Sequence, residues 1–276
     1  VLAWHDTGAF HWGILAWGTA GVVLVMLATY YAGEYWDHAE DSISASLAPS
    51  RFAGGSGITQ RGLLPRRAAA WASVTSLLLA LAVALILQLV YHTGAWTVAF
   101  CALGLLGGFF YSTPPLRWVT TGIGELWIAF CYGWLPIAVG YYLQVGDISP
   151  VVHWLAIPVG LTILNVILLN EFPDYQADST AHKANLAVRV GRRRASLIYA
   201  LLAAGSWVAT FFSVHGGAPR RVLWFYIPVF SLSLTLAALV VRERWRDRET
   251  LEKLCGVNIL VNLGTTAAYI LALVSI

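Results

Sequence analysis

Charge is scarce in this chain of 276 residues. Asp, Glu, Lys and Arg together make up 11% of it, where a soluble domain carries roughly a quarter. With 58% hydrophobic residues and a mean hydropathy of +0.69, that shortage excludes a soluble globular domain. Cysteine is nearly absent too. Cys101, Cys131 and Cys255 all lie in or beside apolar runs, which leaves neither a disulfide framework nor a metal spacing, and they read as small packing residues. No basic n-region of a signal peptide opens the chain, and no Pro/Ser-rich linker divides it. The apolar runs are about twice as long as barrel strands and do not alternate in polarity, which excludes a β-barrel. No carboxylate falls at the middle of a run, where the sites of ion and proton transporters sit. Nothing points to a nucleic-acid partner.

What remains is an all-α, polytopic transmembrane bundle. Runs long enough to span a bilayer, about 17–25 residues, fall near 11–33, 68–91, 95–112, 121–143, 151–171, 195–214, 221–241 and 254–276. The third is short and Gly-rich. Basic residues collect in alternate loops: Arg51, Arg61, Arg66 and Arg67; Arg117; Lys183, Arg189 and Arg192 to Arg194; Arg242, Arg244, Arg246, Arg248 and Lys253. Only Arg220 and Arg221 fall on the other side, a split of 15 to 2 among the 17 Lys+Arg. The positive-inside rule turns the basic loops to the cytoplasm of a prokaryotic inner membrane and both termini outward. The chain begins at Val1, so one more helix ahead of it is expected.

Two acidic phrases stand out, each where an apolar run ends: Gly33-Glu34-Tyr35-Trp36-Asp37-His38-Ala39-Glu40-Asp41 and Asn170-Glu171-Phe172-Pro173-Asp174-Tyr175-Gln176-Ala177-Asp178. In both, two aspartates lie four apart, which stacks the carboxylates on one helical face. Charges at membrane depth are costly and tend to be functional. Two such faces meeting at a membrane surface make a cage of hard oxygens suited to Mg²⁺ carrying a diphosphate. Asn170 extends the stripe of Asp174 and Asp178. Pro173 is expected to kink that helix or break its ladder. The repetition divides one domain, 1–276, into pseudo-repeat halves of about 1–143 and 144–276. The long loop at 42–67 contains Gly54-Gly55-Ser56-Gly57, which reads as a flexible connector or as a phosphate nest.

The phrases NEFPDYQAD and GEYWDHAED, the loop FAGGSGITQRGLLPRR, the segment Tyr111-Ser112-Thr113-Pro114-Pro115-Leu116-Arg117 and Gly122-Ile123-Gly124-Glu125 together resemble the UbiA-type intramembrane prenyltransferases, over most of the chain. The resemblance implies nine helices around a central cavity with two Asp-rich motifs at the cytoplasmic side. It implies Mg²⁺ at Asp37, Asp41, Asp174 and Asp178. It also implies diphosphate contacts from Lys183 and Arg117, with Arg51 and Arg189 as further candidates. The family's first motif usually opens with Asn, and here that position is Gly33.

The expected reaction is transfer of a polyprenyl group from its diphosphate to an aromatic acceptor, and the GGSG loop and NEFPD look most like the menaquinone branch. Glu34 joins the first motif. Tyr111 and Tyr175 sit nearest the acidic phrases, where ring faces can stabilise a prenyl cation. Asn258 and Asn262 share a face of the last span and either contact an acceptor or bond a neighbouring helix. Arg192 to Arg194 mark a helix end against lipid headgroups. His153, beside Trp154, reads as an outer-face interface residue. A second reading, motivated by Gly33, is a non-catalytic relative binding quinone or lipid within a larger membrane complex.

Overall fold

The computed structural model describes residues 1–47, 50–52 and 55–275. Its helices are α1 (Leu2–Thr7), α2 (Trp12–Trp36), α3 (His38–Leu47), α4 (Arg66–Leu89), α5 (Thr97–Ser112), α6 (Gly124–Ala129), α7 (Leu135–Val145), α8 (Pro150–Thr180), α9 (Leu186–Val190), α10 (Arg192–Ser213), α11 (Val222–Val241) and α12 (Arg248–Val274). A π-helical turn, Phe130–Trp134, joins α6 to α7 into one rod. No strand occurs among the described residues. Seven helices, counting Gly124–Val145 as one, are long and apolar enough to cross a membrane, and Thr97–Ser112 is a shorter apolar helix. The eight expected runs are therefore all helical, and the protein is an integral membrane protein.

The outer surface is apolar. Trp12, Trp71 and Trp224 are each more than 70% exposed, the pattern of side chains that face lipid. The interior joins its helices through small residues and polar pairs, which is how helices associate where the lipid is as apolar as leucine. Ala28 and Ala80 are fully buried between α2 and α4, and Ser73 Oγ donates to the Ala28 carbonyl at 2.7 Å. Gly133, in the π turn, faces Gly160 of α8 so closely that a Cβ would strike backbone. α8 is the central rod, packed against α10, α12 and the π turn.

Pro173 does not interrupt α8, which runs unbroken from Pro150 to Thr180. The backbone rung that Pro173 cannot make is missing as expected, and a neighbour takes its acceptor. A proline frees the carbonyl four residues back, here that of Leu169. Cys255 of α12 is buried beside it, and its Sγ lies 3.7 Å from the Leu169 oxygen as donor. Partners from neighbouring helices make proline tolerable in membrane helices.

Candidate active site

The acidic phrases ride on helical extensions past the apolar runs. α2 continues to Trp36 and α8 to Thr180. In the first phrase the helix is not continuous. Asp37 is a junction between α2 and α3 with φ −91° and ψ 9°. The turn spacing survives, because the Asp37 N–H donates to the Gly33 carbonyl at 2.8 Å and the Asp41 N–H to the Asp37 carbonyl at 2.9 Å. The second phrase lies on one helix, as its spacing predicts.

Asp37 is buried and held on both oxygens. Arg117 Nη2 donates to Oδ1 at 2.9 Å and to Glu40 Oε1 at 2.8 Å, while the Ser112 hydroxyl donates to Oδ2. Arg117 has φ +39°, the left-handed region that costs a non-glycine residue energy, and in that conformation it bridges two carboxylates of the first phrase. Glu34 is taken by the loop above it, accepting from the Ser56 N–H at 2.7 Å and the Thr59 hydroxyl at 3.3 Å. Gly55 lies against the Asp41 carboxylate with no space for a side chain. Gly54 lies outside the described residues.

The two phrases meet. Ser44 of α3 donates its hydroxyl to Asp174 Oδ1. Asp178 is buried, with Lys183 Nζ 3.5 Å from Oδ1 and Asn185 Nδ2 donating to Oδ2 at 2.7 Å. Burial pushes Asp41 up to about 7, and the carboxylates of Asp37, Glu34 and Asp174 add to that against the pull of Lys183. Burial also opposes the charge on Lys183, yet Asp178, then Asp37, Asp41 and Glu40, hold it above the ordinary lysine value. One ammonium thus serves carboxylates of both phrases. The half-buried Tyr111 has Glu125, Glu171, Asp37 and Asp178 as its charged surroundings.

Other expected residues stand elsewhere. Arg51 places its backbone N–H 3.3 Å from Glu252 Oε2 and lines a recess with Arg248 and Lys253. Arg189 is exposed and donates to the Ala184 carbonyl at 2.5 Å. The Tyr175 ring lies under the Arg192 guanidinium, 4.9 Å away, beside a recess of about 610 Å³ lined by Arg192 to Arg194. Of the two alternatives for the asparagine pair, the geometry is that of helix pairing. Asn258 accepts from the Tyr199 hydroxyl and donates to the Asn165 carbonyl, both at 2.8 Å, and Asn262 donates to Thr162 Oγ1 at 2.9 Å. Sequence reasoning passed over Ser112, Glu40 and Asn185. Ser112 and Glu40 had a signal, since Ser112 lies in YSTPPLR and Glu40 between the two aspartates of its own phrase, whereas Asn185 lies outside every quoted motif.

The donor set suits a hard divalent cation, because it is all oxygen. Asn170 Oδ1 is buried on the same stripe without a hydrogen-bond partner. Among the described residues, no three of His, Cys, Asp or Glu gather closely enough to hold an ion by themselves. The residues fit a cation that completes its shell with phosphate oxygens, as Mg²⁺ does.

The chain is 27% identical over 209 residues to the 1,4-dihydroxy-2-naphthoate octaprenyltransferase of Mycobacterium tuberculosis, covering 76% of this chain and 68% of the relative. It is 27% identical over 238 residues to the protein of the same name from Escherichia coli, covering 83% and 74%. For the Bacillus subtilis protein of that name it is 24% over 220 residues, covering 78% and 66%. With the model of the UbiA prenyltransferase family matching residues 1–262, the chain belongs to that family and is a prenyltransferase.

Proposed function

We propose that this protein transfers a polyprenyl group from polyprenyl diphosphate to a dihydroxynaphthoate-type aromatic acceptor, in menaquinone biosynthesis, with Mg²⁺ as the divalent cation. The observation that carries the reading is the meeting of two acidic phrases around Lys183, with Arg117 on the first of them. The acceptor class comes from the relatives, all three of which are named for 1,4-dihydroxy-2-naphthoate. The chain acts as a single intramembrane domain of two halves. Its basic loops face the cytoplasm of the inner membrane, because 15 of its 17 Lys+Arg lie on the motif side.

Asp37, Asp41, Asp174 and Asp178 would hold the cation, with the amide oxygen of Asn170 on the same stripe. When bound, Mg²⁺ supplies Lewis-acid neutralisation of the diphosphate. The chain's own residues do the rest. Lys183 places a preorganised positive charge between the phrases, where the leaving group gathers charge as the C–O bond breaks. Arg117 holds the Asp37 carboxylate in place, and its fork is suited to a phosphate oxygen. The Tyr111 ring lies beside both phrases, where it can face the carbocation left by the departing diphosphate. The apolar bundle excludes water that would quench that cation. The acceptor's electron-rich ring carbon forms the new C–C bond as the prenyl C–O bond breaks and diphosphate leaves, and that carbon regains aromaticity by releasing the group it carried, as H⁺ or as CO₂.

The test is transfer of labelled polyprenyl diphosphate to a panel of aromatic acceptors in nanodiscs, with and without Mg²⁺. Wild type is expected to give a Mg²⁺-dependent product with the naphthoate acceptor. Asp174→Ala is expected to lose at least about 100-fold in turnover, the scale set by removing preorganised electrostatic stabilisation. A folded wild type that turns over none of the acceptors would instead favour the non-catalytic quinone- or lipid-binding role.

A further inference from the structure

The recess of about 610 Å³ beside Tyr175 lies between α8, the first turn of α10 and the connection from α11 to α12, and the proposed chemistry does not use it. Arg192, Arg193, Arg194 and Arg246 line it, and no acidic side chain does. The second basic recess differs. There Arg51, Arg248 and Lys253 share the lining with Glu249 and Glu252, and Lys253 Nζ lies 2.6 Å from Glu249 Oε1. One carboxylate serves the first set of arginines: Glu243 meets Arg193 Nε at 3.5 Å and Arg246 Nη2 at 2.5 Å. Among the described residues, Arg192 and Arg194 pair with no carboxylate.

Arg192 is held by rings instead. Its guanidinium lies 4.9 Å from the Tyr175 ring centroid and 4.8 Å from that of Trp245. Trp245 is itself fixed: it is buried, its Nε1 donates to Ser196 Oγ at 2.9 Å, and the Phe172 ring meets it edge-on at 5.4 Å. Stacking orders a guanidinium while leaving its N–H fork unspent. Arg246 approaches the same indole at 5.4 Å, so two like charges meet at one ring. Three consecutive arginines also fill the first turn of α10, where the helix dipole disfavours cations. Such an arrangement is repulsive by itself, and a negatively charged ligand turns each of these costs into an attraction.

We propose that this recess is a second anion site, one that takes the phosphate of an anionic glycerophospholipid headgroup. Guanidinium forks match phosphate oxygens in pairs, and basic pockets between membrane helices are where acidic headgroups bind. The acyl chains have a path as well. Leu197 and Leu201 follow Arg193 at four-residue intervals along α10 and are 53% and 73% exposed, so the stripe leading away from the recess is apolar and faces lipid. Free phosphate offers the arginines the same oxygens but gains nothing from the leucines. The recess touches the second acidic phrase through Tyr175, yet its ligand binds whether or not the chain transfers a prenyl group.

Native mass spectrometry of the full chain, released from detergent with defined lipids, reads the site without turnover. Wild type is expected to retain one phosphatidylglycerol, bound at least about 10-fold more tightly than phosphatidylcholine, the scale of two arginines at an acidic headgroup. Arg192→Gln combined with Arg194→Gln is expected to abolish that preference. Arg242→Gln combined with Arg244→Gln removes the same charge outside the recess and is expected to keep it. Arg194 is exposed, so Arg194→Gln alone, expected to weaken binding about 5-fold, keeps the test available should the double variant fail to fold. Millimolar inorganic phosphate separates the two sources. Displacement of phosphatidylglycerol by phosphate, but not by chloride at equal ionic strength, assigns the recess to phosphate from either source, and retention assigns it to lipid-borne phosphate alone. Absence of the preference in wild type overturns the proposal. So does its equal loss in the two double variants, since the attraction would then belong to the basic side as a whole.

Discussion

At the residue scale, Gly33 departs most from the expected motif, and the structure supplies a physical account of how the site manages with it. A Cβ at Gly33 would meet only Ser112 Oγ at 3.7 Å and Asp37 Oδ2 at 3.8 Å, ordinary contact distances. The polar group next to Asp37 comes instead from the Ser112 hydroxyl on α5. Gly33→Ala should therefore be tolerated, keep turnover, and stabilise α2 by up to about 1 kcal/mol, the difference between Gly and Ala in a helix interior. Ser112→Ala should lower turnover by roughly 10-fold, since a hydrogen bond to a charged group contributes about 1.5–3 kcal/mol. Thermal unfolding in detergent and steady-state kinetics on both variants check this. Equal loss of activity in the two would sink the assignment of that role to Ser112.

At the scale of elements, Pro173 and Cys255 make a quantitative case. If the thiol satisfies the carbonyl that the proline frees, the two positions are coupled in a way that simple packing is not. Cys255→Ala should destabilise the wild type by roughly 1–3 kcal/mol, the cost of a buried group left unpaired. With Pro173→Ala, which restores a backbone donor to the Leu169 carbonyl, the same change should cost less. A double-mutant cycle on thermal stability is expected to give a coupling of at least about 0.5 kcal/mol, and additivity would remove the hydrogen bond from the account of α8. The same elements indicate what a sequence carries. Run length and composition located the spans, because bilayer thickness fixes them. The spacing of Asn170, Asp174 and Asp178 held because all three lie on one helix. The junction at Asp37 was not legible, since a four-residue period looks alike across a one-residue break. Asn258 and Asn262 were legible as a shared face, but which helix they meet is set by packing. Glu125 and Glu171 stood inside quoted motifs, yet their convergence on the consecutive amides of Leu186 and Ala187 depends on α6 meeting α8, which no local pattern encodes.

For the whole molecule, charge placement decides how a cation and substrate arrive. The four aspartates are distributed over α8 and the α2–α3 junction, and two of them are already engaged by cations of the chain, Asp37 by Arg117 and Asp178 by Lys183. Among the described residues no group of three ligating side chains is pre-gathered. A site of this kind is expected not to retain Mg²⁺ alone, because Mg²⁺ dehydrates reluctantly and is bound through one or two carboxylates plus substrate phosphates. On the proposed reading the diphosphate would complete the metal site, and cation and substrate are expected to bind as a unit. Isothermal titration of the protein in nanodiscs separates the possibilities. Mg²⁺ alone should give no saturable heat in the micromolar range, and a non-hydrolysable diphosphate alone should bind weakly through Lys183. The two together should bind at least about 10-fold more tightly, a coupling of about 1.4 kcal/mol. Reciprocity demands that the diphosphate raise the apparent Mg²⁺ affinity by the same factor. Asp174→Ala should abolish the coupling while leaving the weak diphosphate binding in place. Tight stoichiometric Mg²⁺ binding without diphosphate would mean that the carboxylates gather unaided, and that the cation is resident before substrate binds.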